Sequence, residues 1–223
     1  MEQKHIHHQY DIDLQNMSSL FLDMGELVET QLSFAIRAIQ NSDQTLTKLV
    51  IQQEEKVNEY EIEIDALCSS IITRRQPIAS DLRFIIAVSK MTTNLERIGD
   101  EAEKIANKTR RLISENQISL INNIDLLEVS QLSLTLFSDV LTAFKQQDVK
   151  KAEEIIKADK VINDAFVKIL NNLMQGVYSN NKNVSALMDF LFMAKGIERI
   201  GDHTKNIAEL IIYIVEGVDV RHK

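Results

Sequence analysis

The sequence predicts an all-α protein of six long helices, arranged as two tandem three-helix bundles related by internal duplication. Three observations lead to this prediction. The chain of 223 residues contains one proline and six glycines, so few residues interrupt a helix. Its apolar residues recur at alternating steps of three and four, which is typical of helices packed lengthwise in a bundle. A charged pentapeptide and its surrounding pattern occur twice.

Five short segments rich in turn-forming residues separate the six helices, which are about 25–35 residues long. They are 41–43, 75–77, 115–123, 147–148 and 179–181. We expect Asp43 and Asp148 to cap the second and fifth helices, because an aspartate side chain accepts hydrogen bonds from unpaired helix amides. We expect Pro77 to end the second helix, because a proline disfavours helical geometry in the residue before it.

The third and sixth helices carry the clearest sign of duplication. The pentapeptide Glu-Arg-Ile-Gly-Asp at 96–100 recurs unchanged at 198–202, an offset of 102 residues. The second and fifth helices match each other at an offset of 105 residues. We therefore predict one three-helix unit in residues 1–116 and a second in residues 117–223.

Each of these two helices has a seam, the row of residues that we expect to face the inside of its bundle. The seam of the third helix is Ile85, Val88, Thr92, Leu95, Gly99, Ala102, Ala106, Thr109 and Ile113. The seam of the sixth helix is Leu187, Phe190, Ala194, Ile197, Gly201, Thr204, Ala208, Ile211 and Val215. Every position of the first row lies 102 residues before its counterpart.

Composition excludes several classes of function. The formal net charge of −8 argues against a nucleic-acid partner, because phosphate contacts need a basic surface. No run of eighteen apolar residues is present, so we expect no membrane insertion. The first ten residues lack the apolar run of a signal peptide. The single cysteine, Cys68, fits a reduced compartment, and we therefore predict a cytoplasmic protein.

The second helix has a seam as well, and the fifth helix follows the same pattern. The seam of the second helix is Leu46, Val50, Gln53, Val57, Tyr60, Ile64 and Leu67. Eight side chains with oxygen ligands lie one residue past a seam position, at the edge of the groove between two helices. They are Glu54, Asn58, Glu96 and Asp100 in the first unit, and Asp159, Asn163, Glu198 and Asp202 in the second. If neighbouring helices pack side by side, each unit gathers three carboxylates and one amide oxygen. Divalent cations need several oxygen ligands, which one helix alone cannot supply. The pattern therefore indicates one metal site per unit.

A solvated acidic face is the alternative interpretation, and the spacing leaves both open. In that case Arg97 and Arg199 pair locally with the aspartates three residues on. Gly99 and Gly201 favour a functional reason, because a glycine inside a helix costs about 1 kcal/mol relative to alanine. We expect these glycines to admit the backbone of a neighbouring helix. We expect His203, which follows the second pentapeptide, to be a partly exposed hydrogen-bonding residue.

The two copies of the pentapeptide, with their surroundings, resemble the signature of the PhoU family of phosphate-signalling regulators. The resemblance covers nearly the whole chain and is closest to PhoU proteins of enteric and related proteobacteria. It continues in Met24–Leu32, Arg75–Pro77, Ala79–Arg83 and Gly217–His222.

The resemblance implies two similar three-helix bundles and a homodimer. It implies a negative regulator of the phosphate-starvation response that links the ATPase of the phosphate transporter to a sensor histidine kinase. Some members hold metal clusters on E/DxxxD motifs, which match Glu96 with Asp100 and Glu198 with Asp202. The motifs of the second and fifth helices match the pairs 54/58 and 159/163, where asparagine replaces the second aspartate. The implied metal is Mg, Mn, Zn or Fe, and the asparagines favour a weaker site of the Mg or Mn kind.

Two alternatives to this function remain at the level of sequence. The first is a metal-binding helical scaffold with no role in phosphate signalling. The second is a carboxylate-bridged dimetal enzyme, which needs two inward-facing Glu-x-x-His pairs. The sequence contains one such pair, Glu2 and His5, near the N-terminus. We therefore predict a protein that is not an enzyme.

Overall fold

The computed structural model describes residues 8–119, 125–179 and 184–220, and in these ranges the chain forms six α-helices and no strand. This confirms the predicted fold class. None of the described helices is long and apolar enough to cross a membrane. The helices are α1 (His8–Asn41), α2 (Gln44–Arg75), α3 (Ala79–Ser114), α4 (Leu126–Gln146), α5 (Val149–Ser179) and α6 (Val184–Glu216).

Both predicted aspartate caps are confirmed. Asp43 Oδ1 accepts hydrogen bonds from the backbone N–H groups of Thr45 and Leu46, at 2.7 and 3.4 Å. Asp148 Oδ1 accepts one from the backbone N–H of Lys151 at 3.1 Å. These bonds satisfy amide groups that have no partner inside the helix, so α2 and α5 begin where the aspartates place them.

The end of α2 also follows the prediction. The helix ends at Arg75, and Gln76 adopts a left-handed conformation with φ +48° immediately before Pro77. The predicted breaks at 115–123 and 179–181 lie partly outside the described residues.

Two sets of three helices pack pairwise. Helices α1, α2 and α3 contact one another, as do α4, α5 and α6, and the pairs α3–α6 and α1–α4 join the two sets. The seams of α3 and α6 are buried apart from three terminal residues, Ile113, Leu187 and Val215. The boundary at 116/117 stays a prediction.

A second buried stripe on α3 and α6, which the sequence analysis did not predict, joins the two bundles. It includes Ile98 and Ile105 on α3 and Met193 and Ile200 on α6. The two helices run antiparallel. Asn94 of α3 contacts residues 203 and 206 of α6, Glu101 contacts residue 199, and residues 108 and 111 contact Asp189.

The α3–α6 contact has approximate twofold symmetry. A Cβ atom at Gly196 would lie 3.2 Å from Glu101 Oε2, so the missing side chain makes room for this glutamate. At the equivalent point, His203 Nδ1 lies 3.0 Å from Asn94 Oδ1. At the offset of 102 residues, Gly196 corresponds to Asn94 and Glu101 to His203, so the two contacts are equivalent. The expected hydrogen-bonding role of His203 is confirmed.

An aromatic cluster at one end of the molecule connects the bundles through α1, α3 and α4. The rings of Phe21 and Phe144 have centroids 4.5 Å apart, and Phe84 stacks on Phe144 at 6.5 Å.

We expect Phe144→Ala to lower the free energy of unfolding by about 3–5 kcal/mol, because it leaves a cavity between the bundles. Urea unfolding measures the change. Phe192→Ala, at an exposed phenylalanine, serves as control, and an equal loss in both variants would contradict the prediction.

Candidate functional site

The first bundle buries the carboxyl group of Glu54 at the centre of its polar site. Glu54 lies on the buried stripe of α2 between Val50 and Val57, deeper than the groove edge predicted for it. Its Oε2 accepts a hydrogen bond of 2.7 Å from Gln31 Nε2 on α1. Its Oε1 has no hydrogen-bond partner among the described residues. One oxygen is therefore oriented by a neutral amide, and the other keeps both lone pairs free.

The two pentapeptide glycines make room for buried acids. A Cβ atom at Gly99 would lie 3.0 Å from Glu54 Oε2, and one at Gly201 would lie 3.1 Å from Asp159 Oδ1. The closest atoms are thus side-chain atoms, and the expected approach of a helix backbone stays a prediction. A Cβ atom at either position would crowd a carboxylate oxygen, so each glycine gives its acid room.

The second bundle buries Asp159 of α5 in the place that corresponds to Glu54. Asp159 Oδ2 accepts a hydrogen bond of 3.0 Å from Asn163 Nδ2 and lies 3.8 Å from Lys205 Nζ. Its Oδ1 has no hydrogen-bond partner in the described part of the chain. The amide of Asn163 thus presents its nitrogen to the carboxylate, while the corresponding Asn58 of α2 is exposed.

In the first bundle, the acids of the pentapeptide line the same groove in partly buried positions. Glu96 Oε2 lies 3.2 Å from Arg97 Nε. Asp100 Oδ2 lies 3.4 Å from Arg97 Nη1 and 3.6 Å from Lys104 Nζ. The predicted local pair of Arg97 with Asp100 is therefore present.

In the second bundle the pairing differs from the prediction. Glu198 Oε2 lies 2.6 Å from Lys195 Nζ, and Asp202 is half-buried. Arg199 does not take the expected place beside Asp202: its Nη1 lies 3.0 Å from Glu101 Oε1 on α3. The Arg199 side chain is long enough to reach α3, where its guanidinium neutralises the buried carboxylate of Glu101.

Burial and mutual repulsion raise the pKa values of the acids in the first bundle. Burial, opposed by the hydrogen bond from Gln31 and reinforced by the charges of Asp100, Glu103 and Glu96, raises the pKa of Glu54 to about 7. Burial also raises the pKa of Glu96, with a second contribution from Asp100. Acids that shift each other's pKa lie close together, as the metal-site interpretation requires.

The second bundle shows the same effect with a cationic neighbour. Burial raises the pKa of Asp159, while Lys205 opposes the shift. Burial raises the pKa of Asp202 as well, followed by the charges of Glu198 and Asp159. The three acids of each bundle are thus gathered on one groove. Among the described residues, however, no group of three histidine, cysteine or acidic side chains converges as a metal-binding set.

Gln31 is a site residue that the sequence analysis missed. It is fully buried, and its Nε2 also donates to the backbone oxygen of Val50 at 3.1 Å. A signal was present, because Gln31 is the polar member of the buried row Met17, Phe21, Met24, Val28 and Ala35 on α1. At the offset of 105 residues that relates the α1–α2 turn to the α4–α5 turn, Leu136 of α4 takes the equivalent position, and its side chain is buried and apolar. The two sites therefore differ in their third helix.

The ionisation of Glu54 predicts a pH dependence of stability in metal-free protein. Its pKa in the fold, about 7, exceeds the ordinary value of 4.5. The folded state therefore keeps a proton that the unfolded chain releases, and stability falls as pH rises through this window. Glu54→Gln keeps an oxygen for Gln31 without the charge, so its stability relative to the parent should rise by about 2–3 kcal/mol from pH 5 to pH 8.

Urea unfolding in the presence of EDTA measures this difference. Glu63→Gln, at an exposed acid of the same helix, provides the matched control and should follow the parent at both pH values. A constant difference between Glu54→Gln and the parent would show that Glu54 is ionised throughout.

Fold and site together define a class of protein: two related three-helix bundles, each with a buried acid held against a glycine of the next helix. The family model for the PhoU domain matches the chain twice, over residues 21–109 and 126–211. The chain belongs to the PhoU family.

Relatives and solved structures agree with this assignment. The chain is 41% identical to a Burkholderia "Phosphate-specific transport system accessory protein PhoU homolog", over 100% of this chain and 95% of the relative. It is 38% identical to the Escherichia coli (strain K12) accessory protein PhoU, over 98% of this chain and 90% of that protein. The crystal structure of PhoU from Pseudomonas aeruginosa superposes with a TM-score of 0.87 at 32% identity, covering 94% of this chain and 100% of that one.

Proposed function

We propose that this protein is a negative regulator of the phosphate-starvation response. It acts in the cytoplasm as a homodimer and links the ATPase of a phosphate transporter to a sensor histidine kinase. The names of its relatives support this role, since they describe accessory proteins of a phosphate-specific transport system at up to 41% identity over the whole chain. The role requires no catalytic step.

A divalent cation in each bundle is part of the proposal. The observation that carries it is the buried acid against a glycine, which occurs in both bundles with one carboxylate oxygen unpartnered among the described residues. Two further acids raise the pKa values in each groove, and a cation would relieve this repulsion. The proposed ligands are Glu54, Glu96 and Asp100 in the first bundle, and Asp159, Glu198 and Asp202 in the second. They do not converge in the described structure, so binding would require these side chains to turn toward one another.

The donor set decides which metal fits. All six proposed ligands are carboxylates, and Asn58 and Asn163 would add neutral amide oxygens after a change of side-chain orientation. Carboxylate and amide oxygens suit Mg²⁺ and Mn²⁺, whereas Zn²⁺ and Fe²⁺ sites generally include nitrogen or sulfur ligands. When bound, the cation supplies positive charge that would hold α2 to α3, and α5 to α6, in one fixed register.

Manganese titration tests the two sites separately. We expect two Mn²⁺ ions per chain for the parent by isothermal titration calorimetry. Glu96→Gln with Asp100→Asn should remove one ion, and the matched pair Glu198→Gln with Asp202→Asn should remove the other. These variants preserve side-chain volume, and circular dichroism checks that they stay helical. Unchanged stoichiometry in both would show that the pentapeptide acids do not bind the metal.

Gene deletion in the native host tests the regulatory role. We expect a phosphate-starvation reporter such as alkaline phosphatase to be expressed at a high level in phosphate-rich medium. Normal repression would contradict the role and would leave a metal-binding helical scaffold without a function in phosphate signalling. Complementation with the variant that lacks all four pentapeptide acids then shows whether regulation needs the metal sites.

A further inference from the structure

One exposed face of the α3–α6 pair concentrates positive charge on a chain whose formal net charge is −8. Along α3 the cations follow steps of seven, four and three, which return to the same side of a helix. The face, which we call the cationic face, consists of Lys90, Arg97, Lys104, Lys108 and Arg111 on α3 and Lys195 and Arg199 on α6.

Shared contacts join the cations of the two helices into one surface. Lys104 Nζ and Arg199 Nη1 both lie 3.0 Å from Glu101 Oε1. At the next position, Lys108 Nζ lies 4.7 Å from the ring centroid of Phe192 on α6. The rows from α3 and α6 therefore adjoin across the antiparallel contact.

The positive groups of this surface are more exposed than the acids that pair with them. Arg97 has 55% side-chain exposure against 27% for Asp100. Arg199 has 54% against 9% for Glu101. Lys195 has 46%, whereas its partner in the second pentapeptide has 14%. An approaching molecule therefore meets the guanidinium and ammonium groups first, although most of them have an acid beneath.

An apolar stripe continues the cationic face along α6. Val184, Met188 and Phe192 lie at successive steps of four and are 39, 41 and 51% exposed. Lys195 and Arg199 follow in the same row. From its first to its last residue, the row spans about 22 Å at the helical rise of 1.5 Å per residue. Three apolar side chains and two cations thus form one linear surface about four turns long.

We propose that the cationic face and this stripe bind an acidic amphipathic helix of a partner protein. An amphipathic helix places apolar anchors at steps of three and four, which fits the row on α6. Its flanking carboxylates complement the exposed cations and steer the encounter. Duplex DNA is disfavoured because the whole chain is acidic. The inference goes beyond the proposed function, because neither a bound metal nor phosphate takes part in the proposed contact.

A synthetic peptide tests the site on the full-length protein. The probe is a fluorescein-labelled peptide of about 18 residues, long enough for the row of about 22 Å, with leucine at helical spacing and glutamate elsewhere. Fluorescence anisotropy in low salt with EDTA measures binding. Met188→Ser with Phe192→Ser should weaken binding at least about tenfold, as expected for central apolar anchors. Lys195→Gln with Arg199→Gln should weaken binding and reduce its dependence on salt.

Matched controls carry the same changes elsewhere on the surface. They are Leu49→Ser with Val161→Ser, and Lys56→Gln with Lys157→Gln, all at exposed residues. Controls that bind like the parent, together with weaker face variants, support the proposal. Equal binding by the parent and both face variants would overturn it, and so would preference for the same peptide with lysine in place of glutamate. Binding to phosphatidylglycerol vesicles without binding to the acidic peptide would also overturn it, in favour of a membrane surface.

Discussion

In both bundles a buried carboxylate lies against a helical glycine, and this contact favours one register of the two helices that meet there. Each glycine gives up about 1 kcal/mol of helix propensity, and each carboxylate loses water that stabilises its charge. Neither feature is favourable alone. Together they favour one register of α2 on α3, because a Cβ atom at position 99 would crowd Glu54 Oε2 at 3.0 Å. The same contact relates α5 to α6 through Asp159 and Gly201.

The neighbours of these acids make the two sites unequal. In the first bundle a neutral amide, Gln31, orients Glu54, so burial and acidic neighbours dominate and the pKa reaches about 7. In the second bundle Lys205 offsets part of the cost of burying Asp159. The first site therefore gains more from an added positive charge, whether a proton or a cation. Duplication preserved the acids and the glycines, while the residues around them diverged.

The sequence predicted the helices, their caps, the seams and the acids of the grooves, because these follow from local chemistry and from periodicity. It did not predict the α3–α6 contact. Periodicity shows that a face of a helix is buried but not which helix covers it. Ile98 and Ile105 are apolar residues that could pack against any helix. The sequence also did not predict the Arg199–Glu101 pair. The Arg199 side chain is long enough to reach an acid on its own helix, Asp202, or one on α3, Glu101. Gln31 was detectable as a polar residue in an apolar row.

Because α3 and α6 belong to one chain, the two ends of their antiparallel contact can differ in sequence. Two identical units could not differ in this way. In a symmetric pair, one substitution would alter both ends of the contact at once. Within a single chain the ends change separately, and here they have done so. Glu101 lies against Gly196 at one end, whereas a histidine meets Asn94 at the other. The joint between the bundles can therefore be strengthened or loosened at one end while the other end keeps its chemistry.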